Sequence, residues 1–257
     1  MEVERSTFFF WGNLMKLKTV FVIVLTLILV FLIYLSNMDQ KVYYVALGDY
    51  QVLGLTNSGE ITYGYPDYLK EELKSKNKLE KYINGFAKDN MRITDMIHDI
   101  TDNKTIQMNG KDQTLKNALI KADFVTLSIG MNDLYYKIGV NPDFATLNYN
   151  EVYYHIDEMM IDLERLFQLL REYCKEDIIM TDFYNPLEEH EKLNEILIYA
   201  NERLYELAST FQIQVVKIHT VFQNKNGTIT SIYPTKEEYQ KISTKMKETM
   251  VDTLLND

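Results

Sequence analysis

The chain has 257 residues, 46% apolar and 25% charged, which suits one domain of ordinary size plus an appendage and excludes a disordered or collagen-like chain. Its formal net charge of −10, from 27 basic and 37 acidic residues, makes it a poor partner for nucleic acid, whose affinity comes from neutralised phosphates, or for an anionic membrane surface. A single cysteine, Cys174, excludes an intramolecular disulfide framework and a cysteine-based zinc cage.

From Thr19 to Met38 run twenty consecutive uncharged residues, TVFVIVLTLILVFLIYLSNM. As a helix they span about 30 Å, the thickness of a bilayer's hydrocarbon core. Lys16 and Lys18 precede the run and Asp39 follows it, so the positive-inside bias keeps residues 1–18 in the cytoplasm and places residues 39–257 outside the cell. Phe8, Phe9, Phe10 and Trp11 suit an aromatic anchor at the inner interface. A cleaved signal peptide would have a shorter apolar region ending in a small-x-small site; the exit here reads Tyr34-Leu35-Ser36-Asn37-Met38. The expectation is a single-pass, uncleaved anchor at the cell membrane over 19–38.

Short β-rich runs follow at 42–47 (VYYVAL), 123–129 (DFVTLSI), 177–183 (DIIMTDF) and 213–218 (IQVVKI), with a weaker candidate at 80–86. Such runs are the form taken by strands buried on both faces of a parallel sheet. Between them lie helical patterns. The clearest covers 149–174, where Ile156, Met160, Leu163, Phe167 and Leu170 share one face; segments 66–76, 91–100, 188–209 and 235–255 read the same way. Pro66 and Pro234 sit near helix starts. The alternation predicts a three-layer α/β/α sandwich around a mostly parallel five-stranded sheet, flavodoxin-like in plan. Ligands in such folds bind outside the carboxyl ends of the strands, which directs attention to the residues after each strand.

After the first strand comes Gly48-Asp49-Tyr50, with Gly54 beyond; after the strand at 123–129 comes Gly130-Met131-Asn132-Asp133; near the C-terminus comes Thr230-Ser231-Ile232-Tyr233-Pro234. Their order and spacing resemble those of the SGNH (GDSL) hydrolase family over essentially all of residues 41–255. The family's first block reads Gly-Asp-Ser with a glycine a few residues on, and here the serine position is Tyr50. Its third block, Gly-x-Asn-Asp, is matched in full. Its fifth, Asp-x-x-His-Pro, keeps only Pro234, with Thr230 and Tyr233 at the aspartate and histidine positions. The second block, which supplies an oxyanion-hole glycine, maps to Phe86-Ala87-Lys88-Asp89-Asn90 and puts Lys88 at the glycine position, with Asn90 the alternative.

The resemblance implies an ester hydrolase in which a serine attacks, a histidine shuttles the proton, an aspartate orients the histidine and backbone amides with the third-block asparagine hold the oxyanion. In this chain the nucleophile, base and orienter are all replaced. A phenol with a pKa of about 10 is a poor nucleophile without a base beside it, and Tyr233 is no base near neutral pH. Of the machinery, Asn132 and the local backbone remain.

Four histidines are available elsewhere: His98, His155, His190 and His219. Only His219 follows a strand. Thr56 and Ser58 lie too far along the loop to stand in for Tyr50. The pairs Glu188-Glu189 and Glu237-Glu238 read as solvated helix faces, and no metal-ligand cluster or cofactor motif is present. The expectation is a membrane-anchored member of this family that has lost hydrolysis and acts at the cell envelope, on a glycan, a lipid or a membrane-protein partner. The alternative is an active ester hydrolase of lipase, acylhydrolase or deacetylase type that uses Tyr50 as nucleophile or His219 as base.

Overall fold

The computed structural model describes residues 18–30, 41–139, 146–185, 191–222 and 232–250. The chain divides into two units, Met1–Gln40 and Lys41–Asp257. In the first, residues 18–30 form helix α1, whose side chains are exposed. Among the described residues no helix is long and apolar enough to cross a membrane. Residues 31–38 of the expected span lie outside the described residues, as do His190, the Glu188-Glu189 pair and Thr230.

The second unit is built on strands β1 (Val42–Gly48), β2 (Leu79–Ile83), β5 (Phe124–Ser128), β6 (Asp177–Thr181) and β7 (Gln214–Val216), paired in the order β2-β1-β5-β6-β7. Every pairing is parallel. Side chains alternate across a strand, and β1 shows what that does here. Tyr43, Val45 and Leu47 point into one apolar core, and Val42, Tyr44 and Ala46 into another. The first core is closed by α4 (Ile93–Thr101), α5 (Leu115–Lys121), α6 (Met131–Ile138), α7 (Tyr149–Tyr173) and α8 (Glu191–Thr210). The second is closed by α2 (Tyr50–Leu53), α3 (Tyr65–Ser75) and α9 (Lys236–Met250). Both faces of β1 are buried, which is why it reads as a continuous apolar run rather than an alternating one.

Several features depart from the sequence reading, among them α2, α5 and α6, which lie where no helix was expected. An antiparallel hairpin, β3 (Thr105–Met108) and β4 (Lys111–Thr114), lies where no strand was expected. Its two-residue turn is Asn109-Gly110, both with positive φ (52° and 71°), the pair favoured where a hairpin needs the left-handed region twice. The Glu237-Glu238 reading is corrected in half: Glu238 is buried. Its carboxylate accepts from the Thr235 amide at 2.7 Å while its own amide donates to Thr235 Oγ1 at 3.3 Å. This reciprocal capping box starts α9, so Glu238 is a structural acid rather than part of a solvated face.

In the strand order, β1 sits between β2 and β5. The chain leaves β1 toward one side and later returns to the other. The carboxyl ends of β1 and β5 therefore flank the point where the winding reverses, the usual place for a ligand crevice in such sheets.

Candidate functional site

Gly48 ends β1 with φ +136°, and a Cβ there would lie 1.9 Å from the Ser128 carbonyl oxygen. Only glycine lets the ends of β1 and β5 approach this closely. Asp49 then fixes the corner. Its amide donates to Ser128 O at 3.0 Å, and its Oδ1 accepts from Ser128 Oγ at 2.9 Å and from the Gln51 amide at 3.1 Å, capping α2. Gly54 closes the four-residue helix in the left-handed conformation at φ +72°. Burial pushes the Asp49 carboxyl up to about 7, against the lowering effect of these donors, and its Oδ2 has no partner among the described residues.

Tyr50 opens α2 and has no exposed surface. Its hydroxyl lies 3.1 Å from that of Tyr184. The Tyr184 hydroxyl donates to the Ile232 carbonyl at 2.7 Å. A phenol has one proton to give, so Tyr184 accepts from Tyr50 and the chain runs one way, Tyr50 to Tyr184 to Ile232 O. Burial holds the Tyr50 phenol above its ordinary value, and the neighbouring Tyr184, Tyr135 and Asp49 raise it further. The Tyr233 ring meets that of Tyr50 edge to face, centroids 5.0 Å apart. Its phenol is raised by burial and then by Asp89 and Asp49. Pro234 is buried beside it. Tyr239 of α9 donates toward Tyr50 O at 3.2 Å and Leu55 O at 2.6 Å, pinning α2 from the other side.

The two expected oxyanion donors are committed elsewhere. Lys88 gives its amide to Gly48 O at 3.1 Å, and its ammonium pairs with Asp99 at 3.0 Å. Asn132, the second residue of α6, donates its side-chain amide to Asp89 O at 2.9 Å and Met91 O at 3.0 Å, stapling the second-block loop to α6. The alternative residue, Asn90, is exposed on that loop. Gly130, at φ +105°, is the N-cap of α6, with the Phe183 ring 2.7 Å from where a Cβ would stand. Asp133 accepts from the Ile93 amide at 3.1 Å, at the start of α4. Burial raises its carboxyl to about 7. The third block thus holds three elements together.

The remaining candidates are placed as follows. Thr56 and Ser58 bond each other at 2.9 Å within their loop. His155 sits between Glu151 and Glu158 on α7, and His98 is exposed on α4. His219, after β7, is bonded not to Tyr50 but to Asp182, a residue read from the sequence only as part of a strand. The side chain of Asp182 is fully buried, and its Oδ2 meets His219 Nδ1 and the Tyr205 hydroxyl. Among the described residues no three His, Cys, Asp or Glu side chains are placed to hold a metal.

Chemically, the corner after β1 is a closed hydrogen-bond chain. The phenol at the nucleophile position points its proton at another phenol, and the chain ends on a backbone carbonyl that accepts hydrogen bonds but takes no proton near neutral pH.

Residues 44–246 match the family described as GDSL-like lipase/acylhydrolase. No curated protein matches the chain. Among solved structures, the lipase Lip_vut3 from a goat rumen metagenome aligns with TM-score 0.64 and 19% identity, covering 80% of this chain and 95% of its own. Axe2, an acetylxylan esterase from Geobacillus stearothermophilus, aligns with TM-score 0.57 and 14% identity, covering 82% and 95%. At these identities the likeness is one of fold.

Proposed function

The chain belongs to the GDSL-like lipase/acylhydrolase family, and from that premise we propose that it is a non-hydrolytic member, anchored in the cell membrane by residues 19–38, whose outer domain binds or scaffolds at the cell envelope. The observation that carries this reading is the one-way bond chain at Tyr50. A nucleophile needs a lone pair facing the substrate and a base to take its proton. Tyr50 is buried, donates its hydrogen bond to Tyr184, and has no imidazole bonded to it among the described residues. Two donors that would hold an oxyanion, the Lys88 amide and the Asn132 side chain, are occupied by Gly48 O and by Asp89 O and Met91 O. The removal of a whole triad in subtilisin costs about 10⁶-fold in turnover, and here the buried Tyr50 ring is met edge to face by the Tyr233 ring.

The anchor rests on the twenty-residue uncharged run and its flanking lysines. The test uses the full chain in detergent. We expect no turnover of short aryl esters and no labelling by a serine-directed fluorophosphonate. Labelling that maps to any serine, or turnover abolished by Tyr50→Phe, supports the active ester hydrolase instead. Protease accessibility from outside intact cells checks the orientation.

A further inference from the structure

A second polar centre lies at the carboxyl ends of β6 and β7. Asp182 follows β6 directly and His219 follows β7 by two residues. The Asp182 carboxylate accepts from the His219 amide at 3.0 Å, from the Tyr205 hydroxyl at 2.6 Å and from His219 Nδ1. Two assigned donors, the His219 amide and the Tyr205 hydroxyl, already use this buried carboxylate as an acceptor; the Nδ1 that meets it as well is then the protonated nitrogen, and the imidazole is held in a single orientation. The opposite nitrogen, Nε2, has no partner among the described residues. His219 lines an open cleft of about 780 Å³, and its side chain is 31% exposed where that of Asp182 is 0% exposed.

The walls of that cleft narrow the ligand chemistry. Glu202 and Lys217 both line it and offset each other in charge. The Lys217 ammonium lies over the Tyr205 ring at 5.1 Å. Asp182 lies behind His219 and is not part of the lining, so the side chains that face the cleft carry no excess of either sign. Asn194, which also lines the cleft, accepts from Asn185 through its carbonyl at 2.8 Å, and its NH2 has no partner among the described residues. Ile198, 59% exposed, supplies an apolar wall. A ring with an apolar C–H face and hydroxyls around its edge fits this combination better than an anion or a lipid chain.

We propose that this cleft is the chain's ligand site, that it takes a neutral oligosaccharide, and that a sugar hydroxyl hydrogen-bonds with His219 Nε2. The inference deepens the proposed binding role, and rests on it, by naming where and what the domain binds. The test titrates the full chain in detergent, with its histidines 15N-labelled, with the tetrasaccharides of β-1,4-linked N-acetylglucosamine and β-1,4-linked xylose. At least one is expected to shift the His219 ring signals saturably. His219→Asn keeps a side-chain amide for Asp182 but lacks Nε2, so it should keep its melting temperature and lose at least tenfold in affinity. Ring signals unmoved by both sugars, unchanged affinity in His219→Asn, or a ring that responds to inorganic phosphate but to neither sugar would each overturn the proposal. Failure here with fluorophosphonate labelling still absent leaves the loss of hydrolysis standing; labelling with sugar binding intact does the reverse.

Discussion

The Tyr50 hydroxyl donates a hydrogen bond to Tyr184, 3.1 Å away, and Tyr184 in turn donates to the Ile232 carbonyl at 2.7 Å. The order of this chain sets the cost of breaking it. Tyr50→Phe removes only the terminal donor and should cost about 1 kcal/mol. Tyr184→Phe removes the middle link and strands both a buried hydroxyl and a carbonyl, so it should cost more, about 2–3 kcal/mol. Urea denaturation of the two variants checks the ranking, and equal losses would contradict the assigned direction.

Tyr50→Ser restores the residue the family uses at this position without restoring its chemistry. Removing a fully buried ring leaves a cavity and should cost about 3–5 kcal/mol. The new hydroxyl would still have no imidazole beside it. We expect a less stable chain that turns over aryl acetates no faster than the parent, measured by release of the aryl alcohol.

Asp49 makes stability depend on pH with a definite sign. Its carboxyl is raised from an ordinary value of 3.8 to about 7. The folded chain therefore keeps a proton that the unfolded chain releases near pH 4. The stabilisation is complete below about pH 4 and is lost as pH rises through about 7. Asp133, also raised to about 7 by burial, acts in the same direction. Asp49→Asn keeps an acceptor for the Gln51 amide and Ser128 and cannot ionise. The difference in urea midpoint between Asp49→Asn and the parent should grow in favour of the variant from pH 5 to pH 8, and a difference that stays constant would refute the assignment.

Much of this architecture was legible from residue type alone. β1, β5 and β6 each carry a short apolar run, because strands buried on both faces need apolar side chains on both, whereas the edge strand β2 reads Leu-Glu-Lys-Tyr-Ile, is only partly buried and gave the weaker signal. The spacing of Ile156, Met160, Leu163, Phe167 and Leu170 located α7 within a residue of its observed ends. The β3–β4 hairpin was missed although Asn109-Gly110 announced it, since its strands are short and polar and carry no apolar period. At the site, motif matching located Tyr50, Asn132 and Tyr233 but not their roles. Asn132 sits at the position of an oxyanion donor and spends its amide on two loop carbonyls. Tyr184 and Asp182, which organise the two polar centres, lie just past a strand in a stretch with no motif. Their importance comes from partners 23 or more residues away in sequence, which no local pattern encodes.

Gly48 gives the sharpest test of the corner itself. An added Cβ would stand 1.9 Å from Ser128 O, a backbone atom held by the parallel pairing of β1 with β5, and its φ of +136° is strained for any other residue. Neither strand end can yield without breaking the Asp49 bonds to Ser128. Gly48→Ala should therefore cost more than about 4 kcal/mol and give little folded protein. Gly59→Ala is the matched control. Gly59 also has positive φ, +77°, but nothing lies within 4 Å of its added Cβ, so only the backbone term of about 1–2 kcal/mol applies. Soluble yield and thermal midpoint measured on both variants separate steric exclusion from conformational strain. If the two losses were equal, the close approach of β1 to β5 would not be what Gly48 is there to permit.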